Sequence, residues 1–107
     1  MIEIEVMCQH YIGTLQIEPI YDDHSLFSVY LKHEFLGYIQ PVKGQDLVRW
    51  YSHEITDKEL VSQVGEWAEY HFPLTEKSFK PIYNFKFFVQ FMTGLLAMVI
   101  RWGSSGG

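Results

Sequence analysis

The residues of this 107-residue chain best suited to chemistry are five histidines, His10, His24, His33, His53 and His71, one cysteine, Cys8, and the dense polar run Asp22-Asp23-His24-Ser25. Imidazole and thiolate nitrogen and sulfur suit zinc, and clustered carboxylates suit calcium. Spacing decides whether such residues form a site. On one strand, Cys8 and His10 would point to the same face, two residues apart. His33-Glu34 and His53-Glu54 begin like the HExxH zinc motif and then break, because Gly37 and Asp57 occupy the fourth position after each histidine. The Asp22–Ser25 run lacks the glycine and the regular carboxylate spacing of a calcium loop, and reads as a solvated turn between strands.

Nucleophile chemistry has no better footing. The chain contains no G-x-S-x-G elbow, no phosphate-binding glycine loop and no G-x-G-x-x-G. The sequence therefore assigns no catalytic, cofactor-binding or metal-ligating residue and implies no cofactor. Aromatic side chains make up 17% of the chain, among them Trp50, Tyr51, Trp67 and Tyr70. In a domain this small they are expected to fill the core or pack on the sheet rather than form a partner site. Tyr30 and Tyr38 are expected to pair across a hairpin on its outer face.

The elements that must position these residues follow from periodicity. Ile2, Ile4, Val6 and Cys8 alternate with Glu3, Glu5, Met7 and Gln9, and Leu15 and Ile17 alternate with Thr14, Gln16 and Glu18. A period of two describes strands with one buried face and one wet face. Pro19 and residues 21–25 break the pattern as a loop. Phe27, Val29 and Leu31 form a third strand, and Lys32-His33-Glu34 links it to a fourth beginning at Phe35. A turn at residues 43–46 leads to a short strand at residues 47–51. No long crossover intervenes, so the sheet is an antiparallel meander of four to five strands.

An amphipathic helix follows. Leu60, Val61, Val64, Trp67, Ala68, His71 and Phe72 recur at three- and four-residue spacing, with Lys58, Ser62, Gln63, Glu66 and Glu69 opposite. Thr56-Asp57-Lys58-Glu59 fits a capping box, with Ile55 and Leu60 as its hydrophobic staple. Pro73 ends the helix. Gly65, a weak helix former, is expected to admit a close neighbour.

Charge divides the chain. Residues 1–76 hold all 13 acidic side chains against Lys32, Lys43, Arg49 and Lys58, a formal charge of −9, whereas residues 77–107 carry +4. The acidic part opposes binding to phosphate backbones, so no nucleic-acid partner is expected. A single cysteine permits no intrachain disulfide and suits a reducing compartment. The acidic start, MIEIEV, does not fit a secretory signal.

From residue 87 to residue 100 the chain reads FFVQFMTGLLAMVI without a charge, between Lys86 and Arg101. As a helix this stretch is about 21 Å long, short of a hydrocarbon core of about 30 Å, whereas residues 82–102 reach about 31 Å. Three readings follow: a membrane helix, a buried helix lying beside the first one, or an artificial extension.

The stretch from Tyr11 to Phe72 resembles small bacterial α+β proteins of unassigned activity, in which a strand meander precedes a helix reading like Leu60-Val61-Ser62-Gln63-Val64-Gly65-Glu66. The resemblance implies a fold and no activity. The expectation is an acidic α+β domain at residues 1–76, a basic-flanked apolar helix at 77–102 and a flexible Gly/Ser end at 103–107. Its leading role is a cytoplasmic, non-enzymatic interaction or regulatory module with a protein partner or self-association, held at a membrane through residues 82–102. The alternative is a soluble homodimer whose C-terminal helix completes the core. A small-ligand or metal-binding enzyme is a distant third.

Overall fold

A computed structural model describes residues 1–82 as an α+β unit: five strands, β1 (Ile2–Met7), β2 (Ile12–Pro19), β3 (Phe27–Leu31), β4 (Glu34–Lys43) and β5 (Val48–Tyr51), then helix α1 (Lys58–His71) and a single 3-10 turn at Glu76–Ser78. The strands form one antiparallel sheet in chain order, β1-β2-β3-β4-β5. The expected second, apolar helix lies outside the described residues. The β2–β3 and β4–β5 connections mark the upper end of the sheet; α1 starts at the lower end and climbs.

The period-two pattern translates directly into a core. Ile4, Val6, Leu15, Ile17, Phe27, Val29 and Ile39 meet Leu60, Val61, Val64 and Ala68 from α1, all of them buried. Helix α1 packs on β5, β4 and β1, so the sheet curls around it and brings both edge strands to its flanks. Gly65 admits the close neighbour expected of it: a Cβ there would overlap the Trp50 indole of β5. Pro19 is not part of the loop; it ends β2 opposite Phe27.

Two residues at positive φ, Lys32 (50°) and His33 (72°), make the tight β3–β4 turn. That geometry matches the right-handed strand twist, although asparagine and glycine adopt it at lower cost than lysine and histidine. Just beyond it the register shifts: Val29 faces Gly37 while Tyr30 faces Phe35, leaving Leu36 as the extra residue. Leu36 joins the core, so the bulge sends two consecutive residues inward. As a result Tyr30 and Tyr38 do not pair as expected. Phe35 stands between them, its ring centroid 5.8 Å from that of Tyr30 and 4.9 Å from that of Tyr38.

The start of α1 also differs from expectation. Asp57, not Thr56, is the N-cap, and its Oδ1 accepts from the Leu60 amide at 3.2 Å. This moves the frame by one residue, so Ile55 and Leu60 lose their staple positions. Glu59 does not close a box because its carboxylate is used elsewhere, on the Gln9 amide at 2.9 Å. At the other end Pro73 follows the C-cap residue Phe72, as the sequence requires.

Candidate functional site

Helix α1 carries two candidate surfaces, built from side chains whose roles differ from those the sequence suggests: Glu59 as part of a cap, Gln63 in solvent and Trp67 in the core. Glu59, Gln63 and Trp67 lie four residues apart, on one line along the helix. Glu59 Oε1 accepts from Gln9 N at 2.9 Å. Gln63 Oε1 accepts from Met7 N, and its Nε2 donates to Met7 O, each at 2.9 Å. Trp67 Nε1 donates to Glu5 O at 2.8 Å.

Three of these bonds fall on the backbone of β1 that faces away from β2, and the fourth falls on Gln9 just past its end. The match is one of periods: four helical residues rise about 6.0 Å, and two strand residues about 6.8 Å. A helix running antiparallel to a strand can therefore place one side chain per turn on every second strand residue. Gln63 satisfies both groups of Met7 and so acts as a neighbouring strand would. An edge strand's free amides and carbonyls are a template for pairing with other chains, and here α1 occupies them.

The second surface grows from Trp67. Its indole N–H is committed to β1, which fixes the ring, and the ring stacks on His71 with centroids 5.7 Å apart. Tyr70 meets both edge-on, at 6.1 Å from Trp67 and 5.0 Å from His71. Trp67 is 37% exposed, Tyr70 79%, and His71 is exposed as well, so the inward roles expected for Trp67 and His71 do not hold. Glu66, Glu69 and Tyr70 line a shallow depression, and neither glutamate is in an ion pair among the described residues. The result is an aromatic platform in a negative field, suited to a cation over a ring face.

The chemically suited residues do not converge. Strand β1 ends at Met7, and Cys8 is buried while His10 is exposed, so the shared face expected of them does not exist. Burial pushes the Cys8 thiol pKa up, helped by the nearby carboxylates of Glu59 and Asp57. His24 packs against Phe27 and Phe72, and its Nδ1 donates to Pro73 O at 2.7 Å. His33 sits in the lower turn, and His53 is exposed before α1. Among the described residues no three histidine, cysteine, aspartate or glutamate side chains are grouped to hold a metal ion.

The Asp22–Ser25 run is more than a solvated turn. Ser25 is buried, and its amide donates to Asp23 Oδ1 at 3.0 Å. Ser78 Oγ donates to Asp23 O at 2.6 Å, and Lys80 Nζ lies 3.5 Å from Asp23 Oδ2. Hydrogen bonding from Ser25 holds the Asp23 carboxyl below its ordinary pKa; desolvation opposes it, and Lys80 adds a smaller lowering. The loop is thus a cradle for the chain that follows α1. Lys43 adds a second tie, 2.8 Å from Glu76 Oε1, with its ammonium 6.0 Å from the centre of the Phe79 ring.

Sequence reasoning missed the β1 clamp because a polar side chain bonded to backbone looks the same as one in water. The available signal was the i, i+4, i+8 line of Glu59, Gln63 and Trp67, three residues with reach and hydrogen-bonding ends. Compared with protein-family models, with curated proteins and with solved structures, the chain matches none.

Proposed function

We propose that this chain is a non-enzymatic interaction module that takes up a basic polypeptide segment on the exposed aromatic face of α1. The observation that supports it is the fixed platform of Trp67, Tyr70 and His71 beside Glu66 and Glu69. A tryptophan already committed through its N–H loses little freedom on binding, and the Tyr70 ring beside it, 79% exposed, is accessible to lysine or arginine. The formal charge of −9 over residues 1–76 would draw such a partner in and make the association salt-dependent. Calorimetric titration with a lysine- and arginine-rich peptide tests the reading. Tyr70→Ala should weaken binding about twofold to fivefold, as loss of an exposed cation–π contact does. Binding unchanged by Tyr70→Ala and by Glu66→Gln together would remove this face from consideration.

The role of residues 82–102 has two readings. In one, they hold the module at a membrane, with the acidic domain on the cytoplasmic side. In the other, the molecule is soluble, on its own or as a homodimer, and the tail completes the fold. Among the described residues no helix is long and apolar enough to cross a membrane. The path of residues 72–82 favours the second reading, because it leads the chain onto the sheet rather than away from it. Fractionation of the full chain with and without detergent separates the two.

A further inference from the structure

The sheet's second face is not the wet surface that alternation suggests. Its β1 and β2 portion carries Glu3, Glu5, Gln16 and Glu18, but the β3–β4 portion carries Phe35, 45% exposed, in ring contact with Tyr30 on one side and Tyr38 on the other. Ser28 and Gln40, on the same face, are only 1% and 2% exposed. Gln16 Oε1, beside Tyr30 in the ladder, is buried without a hydrogen-bond partner among the described residues. A polar oxygen in that state lacks a donor that a covering segment can bring.

The chain after α1 heads for this face. Phe72 and Pro73 meet His24 at the upper end of the sheet, Ser78 meets Asp23 there, and Glu76 reaches Lys43 at the end of β4. Pro81 O then accepts from Gln40 Nε2 at 3.4 Å. Gln40 lies between Ile39, paired with the core residue Phe27, and Pro41, paired with Trp50 beneath α1. Alternation therefore puts Gln40 on the opposite face. Residues 72–82 fold over the upper end from the helix side of the sheet to the other side, where Pro81 meets Gln40, two residues along β4 from Tyr38.

We propose that the uncharged stretch at residues 87–100 of the same chain covers this outer face, making a third layer. The dimensions suit it: at helical rise fourteen residues span about 21 Å, and five strands span about 19 Å. Residues 83–86 can reach about 13 Å, enough to step from Gln40 to the level of Tyr38 and Phe35. The charges at its ends agree as well. A stretch that starts over β4 and crosses toward β1 brings Arg101 to Glu3 and Glu5, which have no ion pair among the described residues.

Photo-crosslinking of the full chain in detergent-free buffer tests this. A benzoylphenylalanine is placed at Phe35, and separately at Tyr70 on the exposed face of α1, in a mixture of isotope-labelled and unlabelled protein. Mass spectrometry should find same-chain links from position 35 into residues 87–100, and none from position 70. Leu95→Arg should abolish the links from position 35. Links from position 35 only between labelled and unlabelled chains would mean that a second copy covers the face and would overturn the proposal. Its failure would also be shown by the absence of any link into residues 87–100, or by their loss when lipid vesicles are added and the protein sediments with them. None of these outcomes depends on what the aromatic face of α1 binds.

Discussion

Two stretches of unpaired strand backbone, on β1 and on the lower half of β4, are closed by side chains, yet in different ways. Along β1 and Gln9 just past its end, three residues of one helix supply four hydrogen bonds to backbone at regular intervals. Along the lower half of β4, which extends past the end of β5, a single carboxylate does the work: Glu54 Oε1 accepts from Tyr38 N at 2.8 Å. The first closure depends on a helix being seated. The second depends on close approach, since Gly37 lets the Glu54 side chain come so near that an added Cβ would lie 2.7 Å from Glu54 Cβ. A periodic closure can lose one member and keep the others; a closure by one residue has nothing in reserve.

The strongest way to break the comparison is to unseat the helix. Val64 is fully buried at its centre, and Val64→Asp places a carboxylate there without a partner, at a cost of several kcal/mol. The variant should lose its cooperative melt and also self-associate, because the β1 margin opens with it. A monomeric variant with a melt close to that of the parent would show that the helix is not what closes that side.

Next in size is Gly37→Ala, aimed at the other margin. Overfilling a packed contact costs about 1–3 kcal/mol, and here the obstacle is the Cβ of a neighbouring residue rather than a movable chain end. Thermal melting measures the loss, and amide exchange at Tyr38 should quicken more than at Met7. Equal quickening at both amides would mean that the margins open together.

Gln63→Ala should do less harm than its two hydrogen bonds suggest. The site is near solvent, so each bond contributes about 0.5–1.5 kcal/mol, and water can take over at Met7 while Glu59 and Trp67 hold on either side. Exchange at Met7 should rise while exchange at Gln9 stays nearly unchanged. A matching rise at Gln9 would show that the clamp acts as one unit.

The smallest effect concerns the cradle. Asp23 has a folded pKa below its ordinary value, so its contribution to stability is present above about pH 4 and fades as pH falls through the lower folded value. Exchange at the Ser78 amide should accelerate in that acid range, and Asp23→Asn should remove the acid dependence while leaving the margins alone.

Much of the scaffold was legible in the sequence, and for one reason. Burial repeats with the geometry of the element, so Ile4, Val6, Leu15 and Ile17 announced strands and Leu60, Val64 and Ala68 announced a helix face. Features without a period were not legible. Thr56 with Glu59 and Asp57 with the Leu60 amide are equally good caps on paper, and the choice turned on Gln9, a residue fifty positions away that drew off Glu59. The bulge at Leu36 changed what Tyr30 and Tyr38 could reach, and no local pattern encodes an extra residue. Of the candidate site, the acidic background was visible in composition. The platform was not, because Trp67 fits the apolar stripe by spacing and departs from it only through its bond to Glu5.

The clamp on β1 also sets an order in time. Met7 waits for Gln63, 56 residues later in the chain. At synthesis rates of 5–20 residues per second, the strand leaves the ribosome about 3–11 s before its cover does. During that interval β1 and β2 can already pair as a local hairpin, while the far side of β1 offers unpaired backbone to any neighbouring nascent chain. The alternating glutamates Glu3 and Glu5 then have a task that the finished fold no longer reveals: like charges on every copy discourage one young chain from adding itself to another until the helix arrives.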